Sequence, residues 1–183
     1  MTVVLSPGIA RAAAPSTGRW YILGNTATFY YAAVAGGSHA NGAKVIQWSG
    51  PYIPGGDGYR TEQQWQVYDP DGDEWFFLIN AESQKVMGVS GGATANSSKI
   101  IQWDRNNSNT DQQWTFVNPG TTGHSNVPVS NYNYLLNRKS GRCLAVAGGT
   151  DGTDVEGQQL IIFDCHNRDI PVDDRIWYTF RTV

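Results

Sequence analysis

Basic residues never gather into a run longer than the Arg138-Lys139 pair, and the 13 Lys and Arg are outnumbered by 16 Asp and Glu. A surface that holds duplex nucleic acid needs clustered positive charge, so no nucleic-acid partner is expected. No apolar stretch approaches the ~20 residues that span a bilayer, so no membrane span is expected either. No segment sustains a 3.6-residue apolar period, which leaves almost no room for α-helix. The three histidines, His39, His124 and His166, fit no metal-ligand spacing. A serine elbow, a Cys–His nucleophile and a phosphate loop are all missing, so no cofactor and no enzymatic activity are expected. Paired glycosidase acids meet only in space and leave no mark in sequence, but nothing else here indicates a deep cleft. The acidic stretch "DPDGDEW" (Asp69 to Trp75) places its glycine at the fourth position rather than the sixth of a calcium loop, and reads as a tight turn.

Charge is sparse at 16 %, apolar residues make up 40 %, and this balance suits a folded chain rather than a disordered one. Glycine (21), tryptophan (7), tyrosine (9) and phenylalanine (6) are abundant, a mix that favours all-β architecture with frequent turns. The 183 residues suit one domain, with residues 18–183 as its body. Residues 1–17 ("MTVVLSPGIARAAAPST") lack a basic start, and read as an N-terminal arm or the remnant of a signal peptide.

The chain repeats itself. "YYAAVAGGSHANGAKVIQW" (Tyr30 to Trp48), "QKVMGVSGGATANSSKIIQW" (Gln84 to Trp103) and "GRCLAVAGGTDGTDVEGQQLIIFDC" (Gly141 to Cys165) align on Gly-Gly. The residues preceding the common valine, Ala33, Gly88 and Ala145, are spaced by 55 and 57 positions. Each copy closes with a second tryptophan: Trp65 in "EQQWQVY", Trp114 in "DQQWTFV" and Trp177 in the drifted "DRIWYTF". Short apolar runs such as "KVIQW", "KIIQW", "QLIIF" and "EWFFLIN" read as strands. Three units follow, about 18–68, 69–117 and 118–183, in a fold with threefold internal symmetry. Symmetry would bring Trp65, Trp114 and Trp177 together near the axis as core. Gln63 and Gln112 would bond backbone at unit boundaries, and Gly36-Gly37, Gly91-Gly92 and Gly148-Gly149 would turn the chain after the second strand.

"GRCLAVAGG…LIIFDC" and the recurring Gln-x-Trp resemble the ricin-type β-trefoil lectin family, also known as a carbohydrate-binding module family, over about Gly18 to Val183. The resemblance implies twelve strands in three units, six in a short barrel and six in hairpins capping one end. It also implies one shallow sugar pocket per unit. In sugar-binding members an Asp before the valine accepts two sugar hydroxyls, and an aromatic ending the third strand stacks on the sugar's C–H face. A polar residue before Gln-x-Trp completes the set.

Carried over residue by residue, the pattern is broken. The Asp positions are Ala33, Gly88 and Ala145, whereas the aromatic persists as Trp48, Trp103 and Phe163. The polar positions are Glu62, Asp111 and Asp174, followed by Gln63, Gln112 and Arg175. Losing charge-assisted bonds worth about 1.5–3 kcal/mol each leaves a shallow pocket little to hold sugar with. The acids on the opposite wall would have to take over. The second unit is the leading candidate, with Trp103, Asp104, Asn106, Asn107, Asp111 and Gln112. The third offers Phe163, Asp164, His166 and Asp174, and the first Trp48, Glu62 and Gln63.

By the same resemblance Cys143 and Cys165 form a disulfide. Two buried free thiols are the alternative, since two cysteines alone decide little. A disulfide indicates secretion to an oxidising, extracellular setting. The expected partners are glycans or glycoproteins, with a homo-oligomer as one route to valency. The alternative is a trefoil that binds protein through its long segments, Ser49 to Glu62 and Asn118 to Tyr132, as a protease inhibitor or toxin receptor-binding module would. Asn96 and Asn106 also stand in N-glycosylation patterns.

Overall fold

The computed structural model describes residues 16–50, 60–117, 132–149, 155–165 and 174–182. Twelve strands run through them, in three sets of four. The first set is β1 (Trp20–Asn25), β2 (Tyr31–Val34), β3 (Val45–Trp48) and β4 (Gln64–Tyr68). The second is β5 (Phe77–Asn80), β6 (Val86–Val89), β7 (Ser98–Trp103) and β8 (Trp114–Val117). The third is β9 (Tyr132–Asn137), β10 (Cys143–Val146), β11 (Leu160–Phe163) and β12 (Trp177–Arg181). The only helical pieces among the described residues are three-residue 3₁₀ turns.

Six strands close on themselves. β1 pairs with β4 and β12, β4 with β5, β8 with β9, and β9 with β12. Between β5 and β8 the ring is completed by Phe76 and Trp114, which exchange both backbone bonds at 2.9 Å. Closure leaves the barrel no exposed edge to template aggregation. The remaining six strands form the hairpins β2–β3, β6–β7 and β10–β11. Each hairpin loop reaches the next unit's third strand: the Gly42, Ser97 and Gly157 amides donate to the Gln102, Ile162 and Gln47 carbonyls, each at 2.9 Å. All three donors have positive φ, a conformation Gly42 and Gly157 adopt freely and Ser97 adopts at a cost. The arrangement is a β-trefoil.

The strands are short because each needs only a few inward side chains. β4 alternates, burying Trp65 and Val67 and leaving Gln64, Gln66 and Tyr68 half-buried. Trp65, Trp114 and Trp177 are fully buried, and each indole N–H donates to a carbonyl of its own unit's second strand: Ala32, Met87 and Leu144, at 2.9–3.0 Å. The tryptophans therefore bury large apolar surface without stranding a polar N–H. Around them pack Leu23, Leu78, Leu135, Ile100 and the stacked pair Phe76–Phe116.

A second triad escaped the sequence reading. Asn25, Asn80 and Asn137 end the first strand of each set, and all three are buried. Each side-chain amide donates to the carbonyl of the middle residue of the 3₁₀ turn before a unit's last strand, Glu62 or Asp111, or of its equivalent Asp174, at 2.8–2.9 Å. Each side-chain oxygen accepts amides of the following turn, such as Thr28, Ser83 and Ser140. A disulfide joins Cys143 to Cys165. It packs with Trp75, Val117, Tyr134, Leu136 and Ile176 in a satellite apolar cluster outside the main core.

Candidate functional site

The second unit carries an open hollow of about 470 Å³. One wall is Trp103, the last residue of β7, whose side chain is left out of the core because neighbouring Gln102 takes the inward position. Its ring rests on Gly42 of the preceding hairpin loop, where an added Cβ would lie 3.6 Å away, and it remains 46 % exposed. The floor is Gly88 with the Gly91-Gly92 turn, both of whose glycines have φ +61°. The opposite wall is the 3₁₀ turn Thr110–Gln112, which presents Asp111. The Asp111 carboxylate makes no hydrogen bond or ion pair among the described residues.

The absent Asp of the usual pocket has a steric reason here. A Cβ at Gly88 would stand 3.0 Å from Gln112 Cγ. Gln112 is buried and tied at both ends, donating to the Asp104 carbonyl at 2.9 Å and accepting from the Asn106 amide at 2.8 Å. Gln112 therefore braces the wall. Asn106 and Asn107 brace it too: Asn106 accepts the Ser108 amide and the Asn107 carbonyl accepts from Gln113. Asp104 points to a different job. It pairs with Lys85 and bonds Asn41 of the preceding unit, and together they hold its carboxyl below the usual range. Of the six second-unit candidates, Trp103, Asp111 and Gln112 line the hollow, while Asp104, Asn106 and Asn107 support it.

The first unit repeats the design on a smaller scale, about 190 Å³, lined by Ala33, Val34, Gly36, Ile46, Trp48, Arg60 and Glu62. Trp48 is 38 % exposed and rests on Gly157 as Trp103 rests on Gly42. Glu62 stands 3.8 Å from Arg60, and Gln63 is buried, donating to the Ser49 carbonyl. At the rim, Glu82 accepts from the Thr61 hydroxyl and meets His39 at 3.2 Å; Thr61 first and His39 second hold its carboxyl below 4.5.

The third unit differs. Arg175 places its guanidinium 5.0 Å from the Phe163 ring centroid and pairs at 2.8 Å with Asp174, which is buried. A cation thus sits on the ring that stacks sugar in the resembled family. Asp164 is held by Arg142 at 3.1 Å and by Asn96. Asn96 is also the acceptor for Arg142 and for the Asp164 amide, so its side chain is fully engaged. His166 lies outside the described residues, as do residues 51–59 and 118–131 of the two long segments and residues 1–15 of the arm. The "DPDGDEW" acids close a turn: Asp69 accepts the Gly72 and Glu74 amides, and Asp73 accepts the Trp75 amide and pairs with Arg138.

A family model described as ricin-type beta-trefoil lectin domain-like matches residues 61–159. This chain belongs to that family. Among solved structures, the designed threefold-symmetric protein ThreeFoil matches this ricin-type trefoil with a TM-score of 0.67 at 26 % identity, covering 87 % of this chain and 96 % of that one. A ricin B-like lectin of Macrolepiota procera, solved in complex with lactose, matches at 0.66 and 15 % identity, covering 92 % and 99 %. An exo-β-1,3-galactanase from Clostridium thermocellum matches at 0.69 and 20 % identity; 90 % of this chain aligns, but only 30 % of the enzyme. At those two identities the likeness is one of fold. No curated protein sequence matches the chain.

Reading the sequence of this ricin-type trefoil by its repeats missed Lys139, Asn109 and Gly42, which also line the second hollow. Gly42 and Lys139 come from the neighbouring units, so unit-by-unit alignment does not bring them to the site. A signal for Lys139 exists: it stands two residues after Asn137, and the asparagines Asn25, Asn80 and Asn137 recur at the same 55- and 57-residue steps as the repeat itself.

Proposed function

We propose that this chain is a non-catalytic carbohydrate-binding module whose working sites are the hollows of the second and first units. The observation that carries the reading is Trp103, nearly half exposed beside the unengaged Asp111 over an open hollow. An indole face suits the C–H face of a sugar ring, and a free carboxylate suits a pair of hydroxyls. Asp111 supplies from the 3₁₀ turn the acceptor that Gly88 lacks on the strand, so the site is of a non-standard kind. The lactose complex of the Macrolepiota lectin and the GalNAc complex of an earthworm R-type lectin half make galactose-type sugars the natural first probes. Two shallow sites would be weak singly and gain from multivalent glycans or glycoproteins, more so in a homo-oligomer. The disulfide favours a secreted protein.

A glycan array with the intact protein tests the reading, and no binding above background at high protein concentration would sink it. With a ligand in hand, Trp103→Ala and Asp111→Ala should each weaken binding at least tenfold. Unchanged affinity in both would remove the second-unit site.

A further inference from the structure

The three sites are not chemically equivalent, and the difference lies at one symmetry-related position. In the first two sites the residue two after a structural asparagine stands over the second glycine of a Gly-Gly turn. In the first unit's site it is Glu82, whose Cγ lies 3.9 Å from where a Gly37 Cβ would be. In the second it is Lys139: a Cβ on Gly92 would overlap its ammonium and stand 3.4 Å from Asp111 Oδ1. In the third the position is Ala27, and Gly149 has open space around it. One fold position thus offers an anion to the first site and a cation to the second, and has no charged group in the third.

Lys139 is also distinct in its pairing. Other basic side chains bordering the sites meet carboxylates: Lys85 with Asp104, Arg60 with Glu62, Arg142 with Asp164 and Arg175 with Asp174. Lys139 makes no ion pair or hydrogen bond among the described residues. Its backbone is fixed by the preceding Arg138, which bonds the Gln113 side chain at 2.8 Å, pairs with Asp73 at 3.0 Å and lies over Trp75. The turn is anchored, and its unpaired ammonium is directed into the hollow that Trp103 and Asp111 enclose.

We infer that Lys139 makes the second-unit hollow selective for an acidic saccharide, a hexuronate or a sugar bearing an equivalent carboxylate; this rests on the carbohydrate-binding reading above. The ring's C–H face lies on Trp103. Its diol donates to Asp111, and its carboxylate, across the ring from the diol, accepts from Lys139. The opposite charges of Asp111 and Lys139 thus each find a partner in one ligand, which a neutral sugar does not offer. The first-unit hollow, rimmed by Glu82 and Glu62, does not share the preference.

The test is calorimetric titration with digalacturonate and with its neutral counterpart galactobiose, on the intact protein and on Lys139→Ala and Lys139→Arg. Because Lys139 is exposed, the expected preference for the acidic sugar is about three- to fivefold at low salt. The ratio should fall to about one in Lys139→Ala, survive in Lys139→Arg, and shrink in the unaltered protein as sodium chloride rises toward 0.5 M. Neutral binding with a ratio near one, or a ratio that Lys139→Ala leaves intact, overturns the assignment while leaving the carbohydrate-binding reading in place. Failure of both sugars, and of the wider array, overturns both.

Discussion

Trp103 and Trp114 are the same residue type, one strand apart, with opposite fates. Trp114 is sealed in the core with its N–H on the Met87 carbonyl, and Trp103 stands half in solvent on a glycine. Trp114→Ala should therefore cost about 3–5 kcal/mol of unfolding free energy, the range for a buried aromatic. Trp103→Ala should cost under about 1 kcal/mol while weakening glycan binding, a contrast that denaturant titration beside binding assays checks. Gly88 yields a second outcome at this scale. Restoring the family carboxylate by Gly88→Asp pushes a Cβ against Gln112, which its two hydrogen bonds keep from yielding. The variant should lose about 1–3 kcal/mol and displace the Asp111 turn, so that binding falls rather than rises. Glu82 adds a pH dependence. Its folded-state pKa is depressed below 4.5, so its contribution to stability is present above that value and is lost as pH falls through the folded value. Glu82→Gln should flatten the fall of the unfolding midpoint below about pH 4.5, and thermal melts across pH would show it.

At the scale of elements, each unit's third strand ends in a Gln-Trp or Ile-Phe pair whose first member turns inward and whose second turns outward. The inward Gln47 and Gln102 donate to carbonyls of the preceding hairpin loop, Val155 and Ala40, which locks one unit to the next. Alternation along a strand was readable in the sequence, as was the outward aromatic. The hand-over between units was not, because its donors and acceptors are 60 or more residues apart. The disulfide belongs to this scale as well. It links the start of β10 to the second residue after β11's end, 22 positions along the chain, and covers the satellite cluster around Val117 and Tyr134. Replacing both cysteines by serine should lower stability by roughly 3 kcal/mol on the chain-entropy model. Urea unfolding of the double variant measures this; an effect below about 1 kcal/mol would show that the bridge constrains little.

For the whole molecule, closure is the governing fact. β12 carries Trp177 and pairs with both β1 and β9, so the last strand seals the barrel that the first one opens. Deleting residues 177–183 should abolish cooperative unfolding, leaving a broad melt without a defined midpoint, because the core loses one of its three tryptophans and the barrel gains two edges. The same closure brings Gly42 of the first unit and Lys139 of the third to the second unit's hollow. The fold class, the threefold repeat, the core tryptophans and the aromatic shelves were legible in the sequence because each is a local pattern repeated at a fixed step. A repeated apolar or aromatic position reports its environment directly, since burial and periodicity go together.

Charge at the sites obeys no such rule. Asp104 and Asp111 look alike along the chain, yet Lys85 and Asn41 engage the first and leave the second free. Phe163 and Trp103 hold equivalent positions, yet Arg175 lies on one ring and not on the other. Whether a polar group serves a ligand or its neighbours depends on which partners the fold brings within a few ångströms. Asn41 and Lys139 arrive from other units, and Lys85 and Arg175 from other segments of the same unit, so the pairing was set by packing in three dimensions and not by any step along the chain.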